Sequence, residues 1–162
     1  MKTALIAATA LASAALLASC SMKIPQTRAE FTGHPDIRKD TYTVPRPLDA
    51  VAASLDRQGK RCINEEVRTT GGRIIGASHD VYYLTVEKTS PSRAEMSYRW
   101  MTNNTMGMPK GGFYRLAADL EAQGKSTKIT IYHGPMQGDF INAIKEWTKG
   151  NTDACHGAGG KK

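Results

Sequence analysis

No apolar stretch in this 162-residue sequence is long enough to cross a bilayer. The longest, Ala4 to Ala18, has about fifteen residues, short of the roughly twenty that a spanning helix needs. Cysteine is scarce, with three residues and no close ligand pair, which argues against zinc ribbons and Cys-x-x-Cys redox motifs. A c-type haem site would need a second cysteine three residues ahead of the Cys155, His156 pair, and that position holds Thr152. Phosphate loops, dinucleotide fingerprints and the Gly-x-Ser-x-Gly elbow are absent as well, so the sequence implies no cofactor and names no reaction. Acidic residues are the minority, 15 against 22 basic ones, but the excess is spread along the chain. No basic run exceeds two residues, as at the Lys161, Lys162 end.

What is present begins with a leader. Met1, Lys2 and Thr3 give a short positive start, followed by the uncharged Ala- and Leu-rich run. The run ends in Leu17, Ala18, Ser19 and Cys20, which resembles the lipobox of bacterial lipoproteins: a Leu, two small residues, then cysteine. The resemblance covers only the first twenty residues. It implies that residues 1–19 are a signal peptide cut before Cys20. It further implies a thioether-linked diacylglycerol on Cys20 and an acyl group on the new amino terminus. Two or more acyl chains hold a protein stably at a membrane. Ser21 stands where an inner-membrane retention signal would show Asp, so the resemblance favours the outer membrane, facing the periplasm.

Cleavage would leave 143 of the 162 residues, enough for one core, and lower the formal charge from +7 to +6 because the leader holds only Lys2. In that compartment nucleic acid is not an expected partner. The membrane itself, an envelope protein or an anionic envelope polymer is. With Cys20 assigned to lipid, Cys62 and Cys155 remain, and in an oxidising compartment the simplest expectation for them is a disulfide. A zinc site built from the same two cysteines and histidines is an unforced alternative, and no metal is expected.

Residues 20–39 are polar, with Pro25, Gly33 and Pro35 and no sustained period, and read as a flexible tether. A single domain is expected over 40–155, with a disordered Gly/Lys tail at 156–162. A short strand, Thr41 to Val44, precedes a helix whose stripe is Leu48, Val51, Ala52 and Leu55; Gly59 is expected to loosen or end it. Strand patterns follow at Val81 to Glu87, at Ala94, Met96, Tyr98 and Trp100, at Tyr114, Leu116, Ala118 and Leu120, and at Thr127 to His133. Asp139 can cap a last helix with the stripe Phe140, Ile144 and Trp147, and Gly150 can stop it. Strand, helix, antiparallel strands, helix predicts a two-layer α+β domain with about four to six strands covered by two helices. That order resembles helix-grip domains, in element order alone.

Candidate chemistry is thin. Ser78, His79 and Asp80 are adjacent, but neighbours in an extended chain point to opposite faces and a triad must converge. Met101, Met106, Met108 and Met136 could offer thioethers to Cu(I), though without regular spacing they read better as adaptable apolar contacts. The leading expectation is a non-enzymatic envelope lipoprotein that binds or scaffolds. A carrier of an apolar small ligand is the second reading. A hydrolase is the third, and it would require His79 or His133 beside a carboxylate.

Overall fold

Period-two alternation builds most of the molecule. The computed structural model describes residues 24–69, 78–103, 108–135, 137–153 and 155. In chain order the elements are α1 (Arg28–Thr32), β1 (Arg38–Val44), α2 (Leu48–Cys62), β2 (Glu65–Thr69), β3 (Ser78–Ser90), β4 (Arg93–Thr102), β5 (Phe113–Gln123), β6 (Ser126–His133) and α3 (Gly138–Lys149). The strands form one antiparallel sheet in the order β1-β6-β5-β4-β3-β2. Helices α2 and α3 cover one face, giving the α+β two-layer architecture with the helix-grip order of elements. No described helix is long and apolar enough to cross a membrane.

The hairpin between β5 and β6 shows how locally the register is set. Gln123 pairs with Ser126 across Gly124 and Lys125. Gly124 has φ +64° and, among the described residues, no non-glycine has positive φ. Glycine at the first central position, followed by a residue of negative φ, is the type II′ turn whose twist matches flanking strands.

Between sheet and helices the core is filled. Leu55, Met96, Leu116, Leu120, Ile129, Ile131, Ile144 and Trp147 have no exposed surface. The two helices are joined at a polar point as well. Ser54 Oγ donates to the Trp147 carbonyl at 2.8 Å, and Arg46 donates to the Thr148 carbonyl at 2.9 Å, so the last carbonyls of α3 are satisfied from across the layer. Gly150, with φ +100°, closes α3 in the left-handed conformation. Asp139 lies in the first turn rather than at the cap, which is Gln137. Cys62, at the end of α2, is bridged to Cys155 with Cα atoms 5.3 Å apart.

Three further details depart from the sequence expectations. The first is the tether: from Arg28 onward, residues 20–39 contain ordered structure docked on the domain. Thr27 and Glu30 make a reciprocal capping box on α1. Phe31, 5% exposed, stacks on Tyr114 at 5.6 Å, and Arg28 pairs with Asp119 at 2.6 Å and Glu95 at 3.2 Å. Helix α1 thus lies on the face of the sheet opposite α2 and α3. A five-residue helix is too short to show a period, which is why alternation missed it.

The second departure is Gly59, which does not end α2. A Cβ there would lie 2.7 Å from Leu84 Cδ2, so this glycine lets the helix approach β3 closely. The third is a bulge between β4 and β5. Tyr98 pairs with Leu116 but Arg99 pairs with Tyr114 and Trp100 with Phe113, which leaves Arg115 as the extra residue. Tyr114 is therefore moved off the face of Leu116, and Phe113 takes its place.

Candidate functional site

The bulge assembles a row of aromatic rings. Tyr82 on β3 and Trp100 on β4 are directly opposite in register, on the helix-covered face shared with Leu84 and Tyr98, and their rings stack at 6.4 Å. Trp100 and Phe113 on β5 lie 5.7 Å apart. The row is half-buried, whereas Leu84, Met96 and Leu116 further along the same strands are closed off. Tyr98 and Phe140, with ring centroids 4.6 Å apart, join the row to Trp147 in the core.

Polar groups flank the rings. Trp100 Nε1 donates to Asp80 Oδ1 at 3.1 Å. Hydrogen bonds from Thr102, and also from Trp100 and Ser78, hold the Asp80 carboxyl below the usual range against the opposing effect of burial. On the other side the Arg115 guanidinium lies 5.8 Å from the Trp100 ring centre, within cation-π range. Burial pushes the Tyr98 phenol up, and Arg115 opposes it. A half-open apolar platform between an anion and a cation can hold the flat face of a ligand and orient a polar substituent.

A second polar group sits where β1 and β6 meet α3. Tyr42 Oη and Thr148 Oγ1 are 3.2 Å apart, and burial of this phenol pushes its pKa up to about 12. Lys145 pairs with Asp40 at 3.2 Å. His133 Nε2 lies 3.9 Å from Asp40 Oδ1, and its Nδ1 is 2.7 Å from the Gly134 carbonyl. That carbonyl can only accept, so Nδ1 carries a proton.

The sequence candidates fall as follows. Cys20, like Met106 and Met136, lies outside the described residues. Ser78 and Asp80 share a face, with Ser78 donating to Asp80 Oδ2 at 3.2 Å, while His79 is turned to the other side, where its Nε2 meets Glu66 Oε1 at 2.9 Å. The three do not converge. Both His79 and His133 do have a carboxylate neighbour, as a hydrolase would need. Among the described residues, however, no serine, threonine or cysteine side chain hydrogen-bonds to either ring. In neutral His133, Nε2 has no proton to give Asp40. The aromatic row was missed because it depends on the bulge. Its signal was Tyr98 and Trp100 at one spacing with Phe113 and Tyr114 together, which leaves the strand phase ambiguous.

No family profile matches the sequence, and no curated protein matches it. Solved structures overlap it in shape at low similarity. DynU16, from the dynemicin biosynthetic locus, is 18% identical with a TM-score of 0.32, covering 70% of this chain and 44% of its own. The protein CV1439 from Chromobacterium violaceum is 10% identical with a TM-score of 0.40, covering 74% of this chain and 99% of its own. Norcoclaurine synthase from Thalictrum flavum is 10% identical with a TM-score of 0.32, covering 83% and 100%. Overlaps this loose carry no argument about activity or ligand.

Proposed function

We propose that this chain is a lipid-anchored, non-enzymatic binding protein of the bacterial cell envelope, whose domain holds a flat apolar ligand against Tyr82, Trp100 and Phe113. The observation that carries the binding reading is the row itself: three rings in contact, Tyr82 stacked on Trp100 and Phe113 tilted against it, left half-open beside fully buried core residues. The ligand rests on a platform at the end of the core. Asp80 and Arg115 set its orientation. The anchor rests on Leu17, Ala18, Ser19 and Cys20.

Trp100 is one of two tryptophans, and the other, Trp147, has no exposed surface, so changes in solvent-sensitive indole emission report on the platform. Titrating the full-length protein in neutral-lipid nanodiscs with a naphthalene dye should alter that emission. Trp100→Ala should weaken binding, measured from the dye's own fluorescence, roughly fivefold or more. Equal dye affinity in wild type, Trp100→Ala and Tyr82→Ala would defeat the platform. For the anchor, labelled palmitate should enter the wild type and not Cys20→Ser, which should appear in the soluble fraction. A Cys20→Ser protein that stays with the membrane would remove the lipid assignment.

A further inference from the structure

Strand β1 is at the end of the sheet, and among the described residues nothing pairs with its outer edge. It is a regular strand: seven consecutive residues, Arg38 to Val44, keep register with β6 without a bulge. The strand itself holds no proline: Pro35 lies before it and Pro45 just after the pairing ends. Exposed edges are commonly blunted by bulges, prolines or charges. Here the charges are at the Arg38, Lys39, Asp40 end, and the Thr41 to Val44 half has none.

Along this edge runs an open groove of about 840 Å³, walled by residues 39–46 and by Lys145 and Lys149 of α3. The edge is therefore flanked by a helix but not covered. Its lining carries Lys39, Arg46, Lys145 and Lys149 against Asp40, and Glu146 pairs with Lys149 at 2.7 Å from outside the lining, which leaves a formal excess of two positive charges. Half-buried Tyr42 adds apolar surface on the α3 side, while Val44 belongs to the core. A row of unpaired backbone groups asks for another strand, and the cations select its charge.

We propose that this edge takes an extended acidic peptide segment of a partner protein as a seventh strand, with alternate carboxylates turned toward Lys145 and Lys149. The site is separate from the aromatic platform and does not depend on it. Anionic lipid headgroups share the charge but cannot form a ladder, and this separates the two occupants.

The test uses the full-length protein in neutral phosphatidylcholine nanodiscs and a labelled peptide of alternating Glu and Val. Fluorescence anisotropy should show binding, and amide hydrogen exchange should slow in β1. N-methylation of alternate peptide residues should abolish both effects while leaving the charge intact. The Lys145→Glu, Lys149→Glu double variant should weaken binding roughly tenfold or more. If it does not fold, Lys39→Glu, which removes an exposed lysine from the other wall, should give a smaller loss. Equal binding of the N-methylated peptide, or no β1 protection, overturns the proposal. Binding to phosphatidylglycerol vesicles that depends on Lys145 and Lys149, with no peptide binding, would instead make the groove a membrane contact.

Discussion

The two ends of the helix-covered face are written in the same alternating code and end in different states. At one end Met96, Leu120, Ile129 and Trp147 are sealed; at the other Tyr82, Trp100 and Phe113 are half-open. Helix contacts mark the boundary. Helix α2 meets β3 at Leu84 through Gly59, and α3 meets β4 at Tyr98 through Phe140. One pairing step further along the sheet, Tyr82 and Trp100 are half-open. Residues left outside must be large enough to cover one another, and stacked aromatic rings do this while staying accessible.

Truncation should separate the two ends most sharply. Trp147→Ala leaves a large void in a packed interior and should cost about 3–5 kcal/mol in urea unfolding. Trp100→Ala should cost clearly less and show its main effect in ligand binding. Equal costs would mean that the platform is simply core. The Cys62 and Cys155 bridge acts on the sealed end from its margin, because Cys62 is itself part of the core and Cys155 packs against it. Cys62→Ser with Cys155→Ser should lower stability by about 2–5 kcal/mol, chiefly by freeing the unfolded chain across a 93-residue separation. The same measurement checks it, and the dye affinity of the folded fraction should not change.

Legibility in the sequence follows the same division. Elements with several turns or clean alternation were readable: the stripes Leu48, Val51, Leu55 and Phe140, Ile144, Trp147, the strand Ala94 to Trp100, and the β5 and β6 hairpin. Features fixed by contact between elements were not. Phe31 is one apolar residue in a polar stretch until Tyr114 is beside it. Phe113 and Tyr114 exchange faces through a bulge that no single strand can reveal. Strand β2, Glu65–Thr69, is an edge with little apolar pattern. Gly59 is the instructive case, because glycine signals a stop by propensity and a close approach by packing, and only Leu84 distinguishes them. The sign of Gly59→Ala tests the close approach. At an uncrowded position inside a helix the substitution would gain about 1 kcal/mol from propensity. Against Leu84, crowding of about 1–3 kcal/mol outweighs that gain, so the variant should be less stable than wild type in urea.

The smallest expected effect lies at the open end and is seen in its pH dependence. Asp80 accepts hydrogen bonds from Thr102, Trp100 and Ser78, and its folded carboxyl titrates below the ordinary value of 3.8. A group whose pKa is depressed by folding contributes stability that is whole above its unfolded pKa and is lost as pH falls through the folded one. Asp80→Asn should therefore destabilise at neutral pH, and the gap to wild type should narrow from about pH 4 downward. The carboxyl is close to solvent, which keeps the effect modest. Because the same bond from Trp100 Nε1 helps fix the ring, the substitution should also loosen ligand binding, and this loss should follow the same pH window. A stability gap that stays constant from pH 7 to pH 2 would mean that the charge on Asp80 contributes nothing. The ring would then be held by its contacts with Tyr82 and Phe113 alone, and the platform would lack the polar anchor that distinguishes it from an exposed piece of core.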